Sequence, residues 1–147
     1  MKIHQLSVFI ENRPGHLVAT CRLLAEAGIN IVALSLAETQ TYGILRLIVR
    51  DWQKAKEVLQ AGGSCVTVTE VLTVQVDDRP GGMVAVLQPI AAAGLNVEYM
   101  YAFSTKIGDQ AVLVLRIADP DAALLALQGS AVHFLDTVEL LSRLERV

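Results

Sequence analysis

Apolar and polar residues alternate near the start of the chain, with Leu6, Val8 and Ile10 interleaved with Gln5, Ser7 and Glu11. A period of two predicts a strand with one face buried. The same alternation returns in Leu72, Val74 and Val76 against Thr73, Gln75 and Asp77. After the first strand the period lengthens: Leu17, Val18, Cys21, Leu24 and Ala25 share one side of a helix, with Thr20 and Glu26 on the other. Pro14-Gly15 puts a proline at its first turn and Gly28 stands just past its end, the usual helix punctuation. A second strand is expected near Ile31–Glu38, a turn at Thr41-Tyr42-Gly43, and a third strand over 44–50. Asp51, a capping type of residue, opens a second helix that turns Ala55, Val58 and Leu59 inward. Gly62-Gly63 ends it, and 65–69 forms a fourth strand.

The two alternating strands head two copies of one module. Arg13-Pro14-Gly15 recurs as Arg79-Pro80-Gly81, and Ala27-Gly28-Ile29-Asn30-Ile31 as Ala93-Gly94-Leu95-Asn96-Val97, both displaced by 66 residues. Leu17, Val18 and Leu24 match Met83, Val84 and Ile90 in the same register. Asp51 matches Asp119, so the second copy carries two extra residues around 106–110. One register held through loop, helix and strand start marks a duplication, with modules over 1–70 and 71–147. In the second copy Asp119-Pro120 supplies cap and first turn, a fourth strand is expected near 132–135, and a short terminal helix over 138–144. A βαββαβ order predicts an α+β fold: an antiparallel four-stranded sheet, strand order 4-1-3-2, with both helices on one face, the ferredoxin-like arrangement. The strand over 44–49 is apolar on both faces, so the bare sheet face or an edge is expected to be covered by another module.

Composition narrows the function. With 53% hydrophobic and 18% charged residues the chain is not disordered. A net charge of −3 and 12 scattered Lys and Arg argue against a nucleic-acid surface. No apolar run reaches the roughly 18 residues of a membrane helix. The chain opens directly into a strand pattern without a signal peptide, and a cytoplasmic protein is expected. Cys21 and Cys65, the only two cysteines, lack metal or redox spacing. Cys21 reads as a buried reduced thiol on the helical stripe.

Catalytic constellations are absent from the pattern. His4, His16 and His133 fall on unrelated elements and are not repeated between copies. Asp77-Asp78 are neighbours on an extended chain, pointing opposite ways, and the first copy has Glu11-Asn12 there. Gly81-Gly82 and Gly62-Gly63 lack phosphate-loop fingerprints. No catalytic residue, metal site or cofactor is expected. What recurs is a polar residue before Arg-Pro-Gly (Asn12 or Asp78) and an Asn after the helix (Asn30 or Asn96). Their plain readings are a helix cap and a residue easing a tight turn. The functional reading joins them to the free N–H groups of a helix N-terminus, which suit a carboxylate, while a side-chain amide offers both donor and acceptor to an α-amino acid.

Glu-Asn-Arg-Pro-Gly-His-Leu at 11–17, with Ala-Gly-Ile-Asn-Ile at 27–31, resembles the ACT domain, the small amino-acid-sensing module of metabolic enzymes. It is close in pattern to the serine-sensing module of bacterial phosphoglycerate dehydrogenase. Both halves match, and the second copy's Asp-Asp-Arg-Pro-Gly-Gly-Met and Glu-Tyr-Met-Tyr-Ala-Phe are similar to stand-alone tandem ACT proteins. The resemblance implies a ligand between modules, touching the first loop of one and the start of strand two of the other. On this chain it implies Asn12, Arg13, Pro14, Gly15, His16 and Leu17 with Asn30 and Ile31. In the second copy it implies Asp78, Arg79, Pro80, Gly81, Gly82 and Met83 with Asn96, Val97 and Tyr99. The serine-sensing module has a histidine two positions before its loop Asn, where this chain has Ile10 and Val76, so serine specificity does not carry over. The implied function is a non-catalytic regulatory or sensor protein for a free amino acid. The alternative is a regulatory subunit of an amino-acid biosynthetic enzyme such as acetohydroxyacid synthase, whose small subunit is similar to this chain in its first half only.

The copies differ in their aromatics. Of seven aromatic residues, Tyr99, Tyr101 and Phe103 sit at alternate positions of the second copy's strand two, where the first has Ala33, Ser35 and Ala37. All three rings fall on one sheet face, either as packing between modules or with a Tyr lining one pocket, and one strong and one weak or lost site are expected. ACT modules often pair along strand two. Pairing both modules of one chain that way separates strand four from the next strand one by roughly 29 Å, whereas the linker over 69–72 reaches about 14 Å. Pairing between chains, face-to-face packing or exchange of the fourth strand each removes the conflict, and a homodimer is expected because open strand edges need cover. A metabolic enzyme is the further partner the resemblance implies.

Overall fold

The computed structural model describes residues 2–104, 106 and 108–144. The chain divides into two units, His4–Thr69 and a second running from Glu70 onward together with the chain start through Ile3.

In the first unit the elements are β1 (Lys2–Glu11), α1 (His16–Glu26), β2 (Ile31–Glu38), β3 (Tyr42–Val49), α2 (Trp52–Ala61) and the opening residues of β4 (Cys65–Asp77). The strand order is β2-β3-β1-β4, with β3 antiparallel to both β1 and β2, which is the 4-1-3-2 order the pattern predicts. Leu6, Val8, Leu45, Leu47 and Val49 lie on the face that meets Leu24 of α1 and Ala55 and Leu59 of α2. The opposite face is not a wet one: Gln5, Ser7, Ala33 and Ile48 are buried.

Several expectations change here. Thr20, placed on the outer side of α1 by its polarity, is buried, and Val18 is 53% exposed. Thr20 is admitted because its hydroxyl donates to the His16 carbonyl four residues back (3.2 Å), leaving only its methyl to pack. Cys21 is half-buried rather than buried. The hairpin turn comes earlier than Thr41-Tyr42-Gly43, because the Thr39 N–H donates to the Tyr42 carbonyl (2.7 Å) and β3 begins at Tyr42. The expected linker over 69–72 is part of the unbroken 13-residue β4. Pro14 precedes the helix instead of starting it, since Gly15 is the N-cap. At the other end of α1, Gly28 (φ 71°) donates to Ala25 (3.0 Å) and Ile29 donates to Leu24 (2.9 Å), a glycine-terminated cap that the sequence predicts.

In the second unit β4 is followed by α3 (Gly82–Ala92), β5 (Val97–Ala102), β6 (Gln110–Ile117), α4 (Pro120–Ala126), β7 (Phe134–Leu135) and α5 (Thr137–Leu144). β6 lies between β4 and β5, and β7 pairs with the other side of β4, repeating the 4-1-3-2 order. Leu72, Val74, Val76, Leu113, Leu115 and Ile117 pack under Val86 and Ile90 of α3 and Ala123 of α4. Val86 occupies the position of Thr20, and Val84, like Val18, points outward at 59% exposure. Pro89 lies inside α3 and removes one helical N–H. The chain start joins this unit through Lys2, whose Nζ meets Glu70 (2.6 Å) and Asp121 (3.1 Å). Hydrogen bonds to Glu70 and then to Asp121 raise its pKa above 10.5. No helix among the described residues is long and apolar enough to cross a membrane.

Candidate functional site

The loop from the first strand into the first helix is built the same way twice. The Arg13 N–H donates to the Glu11 carbonyl (2.8 Å) and the Arg79 N–H to that of Asp77 (2.9 Å). The Asn12 N–H donates to the Thr41 carbonyl (3.0 Å), and the Asp78 N–H to that of Asp109 (3.2 Å). Each arginine folds back on the acid two residues earlier, Arg13 on Glu11 (3.2 Å) and Arg79 on Asp77 (3.1 Å). Gly15 and Gly81 then enter the left-handed region at φ 89° and 87°, a turn that a Cβ would strain.

Neither helix is capped by a side chain. The capping role expected of Asn12 and Asp78 is therefore corrected. The Asn12 amide instead donates to Glu38 Oε2 (3.3 Å) and the Thr39 carbonyl (3.4 Å) at the end of β2, while Asp78 pairs with Lys106. First-turn N–H groups that no side chain claims carry the positive end of the helix dipole. They open beside a cleft in the first unit whose apolar wall is Ile10, Leu17, Leu36 and Gly43 and whose polar rim is Asn12, Arg13 and Glu38. Gly43 leaves its floor open: a Cβ there would stand 3.2 Å from both Ile10 and Leu36. The second copy has Ala111 at this register position, opposite Val76.

The two loops part at the first helical residue. His16 is exposed, but its counterpart Gly82 is buried, and a Cβ on Gly82 would lie 2.0 Å from the Asp77 carbonyl oxygen.

Residues 1–143 match the family model of the ACT domain pair. The chain belongs to the ACT domain family. A protein from Bacteroides thetaiotaomicron is 35% identical, with 95% of this chain and 96% of that one covered and a TM-score of 0.88. The ligand-free regulatory subunit of aspartate kinase from Thermus thermophilus is 20% identical over 85% of this chain and 90% of its own, TM-score 0.62. The corresponding subunit from Thermus flavus is 19% identical over 87% and 94%, TM-score 0.60. These two share the fold. No curated protein matches.

The ACT fold places the expected residues in two separate groups within each module. Asn12 through Leu17, and Asp78 through Met83, gather at the N-terminal end of the first helix. Asn30 and Ile31, and Asn96 and Val97, lie past its C-terminal end, and an 11-residue helix is about 16 Å long. Asn30 and Asn96 are exposed, and no residue other than glycine has positive φ among the described residues, so neither Asn serves a left-handed turn. Tyr99 pairs with Arg116 and Tyr101 with Val114 on the sheet face away from the helices, and the Phe103 N–H continues that register onto the Val112 carbonyl (2.9 Å). All three rings do share one face.

Glu38, Leu36 and Gly43 were not singled out by pattern. The signal was the hairpin register: Glu38 pairs with Gly43, and Gly43 with Ile10, three positions before Arg13. The histidines stay apart. His4 stacks on Trp52 with centroids 4.5 Å apart, and His133 approaches Glu139 at 3.4 Å. Among the described residues no three His, Cys, Asp or Glu side chains converge on a metal position.

Proposed function

We propose that this ACT pair is a non-catalytic regulatory protein that binds a free amino acid where the loop of one module meets the strand-two start of a module from a second copy of the chain. The observation that carries the reading is a helix N-terminus that no side chain caps, beside an apolar cleft, with Asn12 turned away from capping and toward the cleft rim. The ligand carboxylate takes the helix N–H groups, and its side chain takes the apolar wall. Asn12, Arg13, Pro14, Gly15, His16 and Leu17 form one half of this site. Asn30 and Ile31, or Asn96 and Val97, form the other half, and their exposure at the far end of each helix supports a contribution to a neighbour. The modules over 1–70 and 71–147 act as the units of association, and ligand binding biases docking on a partner enzyme by differential affinity for two states.

A thermal-shift screen against the twenty amino acids, with nucleotides as controls, tests this. A ligand held at tenfold its dissociation constant stabilises by about 1.4 kcal/mol, and Asn12→Ala and Asn96→Ala both reduce the shift. The reading does not survive a screen in which no amino acid stabilises the chain.

A further inference from the structure

The acids around the two loops are not matched alike. In the first module Glu11 is paired with Arg13, but Glu38 meets no cation among the described residues; its partner is the neutral Asn12 amide. In the second module Asp77 pairs with Arg79 and Asp78 with Lys106, while Asp109, which lines the same loop's cleft, meets no cation among the described residues. The residue at Glu38's place there is Ser104 by the 66-residue register. The first cleft therefore sets a carboxylate beside a side-chain amide, a pairing that Ser104 and Asp78 do not reproduce in the second.

The orientation of Asn12 follows from its neighbours. Glu38 Oε2 and the Thr39 carbonyl are both acceptors, so the amide nitrogen must face them. Asn12 Oδ1 is then left facing elsewhere, as an acceptor beside an acid. An α-ammonium group has three donors and one positive charge, the complement of that pair. Glu38 also shares the cleft with the apolar wall of Leu36 and Leu17.

We propose that Glu38, with Asn12 Oδ1, receives the ligand's ammonium group, so that the first module selects a free α-amino group and the second, with Ser104 and a Lys106-paired Asp78 at those two places, does not. This rests on the amino-acid-binding reading above and names the charged group that the first site recognises.

The full chain is screened with the twenty L-amino acids, and the strongest binder is compared with its N-acetyl derivative by calorimetry on wild type and Glu38→Gln. The expected result is one ligand per chain, at least tenfold weaker binding after N-acetylation, and at least a tenfold loss in Glu38→Gln for the free amino acid alone. The N-acetyl comparison on wild type keeps the test decisive if the variant folds poorly. Unchanged affinity in a folded Glu38→Gln, equal binding of the N-acetyl form, or two equal sites per chain overturns this inference while leaving amino-acid binding intact. No binding of any amino acid overturns both.

Discussion

Gly82 is held by its surroundings, not by its own conformational freedom. A methyl group there would meet the Asp77 carbonyl at 2.0 Å, and backbone cannot swing aside as a side-chain tip can. Overpacking of this kind costs about 1–3 kcal/mol. Urea unfolding of Gly82→Ala is expected to show that loss, with His16→Ala, at the exposed equivalent position, nearly neutral. Equal midpoints for the two variants would contradict the contact. The sequence could place Gly82 beside Gly81 but not say why it is glycine, because the obstruction comes from a carbonyl whose position depends on how strand and helix meet. Thr20 was misplaced for a related reason. Polarity points such a residue outward, yet a hydroxyl bonded to its own helix turns inward at little cost.

Among the elements, the starts of α2 and α4 were the most legible. Asp51 accepts from the Lys54 N–H and Asp119 from the Ala122 N–H, both at 3.0 Å. Removing a cap of this kind costs about 1 kcal/mol. Asp51→Ala and Asp119→Ala are each expected to lower stability by that amount, with Asn12→Ala costing less because Asn12 caps nothing. A larger loss for Asn12→Ala than for the aspartates would show that the loop depends on its bond to Glu38. Capping is local, so a residue type and the period after it suffice to reveal it. The hairpin was legible only to within two residues, because Thr39 closes it through a hydroxyl that a glycine-seeking pattern overlooks. The cleft was half legible: its loop repeats in the sequence, whereas Leu36, Glu38 and Gly43 enter it through cross-strand register, a long-range property.

Within its own unit each of β2 and β5 is an outer strand, with a sheet neighbour on one side only among the described residues. Leu34 and Leu36 stand out from β2 at 46% and 48% exposure. Open edges with apolar side chains favour association. Light scattering at micromolar concentration is expected to give twice the chain mass of 15.9 kDa, and Leu34→Glu to shift it toward the monomer. A monomer throughout would remove the proposed second half of the site. Nothing in a single sequence specifies such pairing, because the partner surface belongs to another molecule.

The glycine at the start of α3 also bears on how the halves of a duplicated gene drift apart. A change from histidine to glycine at this loop position is sterically open in the first half, but the return step in the second is barred by the Asp77 carbonyl. Copying the first loop's histidine onto position 82 would cost the second half stability. The steric barrier runs in one direction only, and so works to keep the two halves unlike at this position.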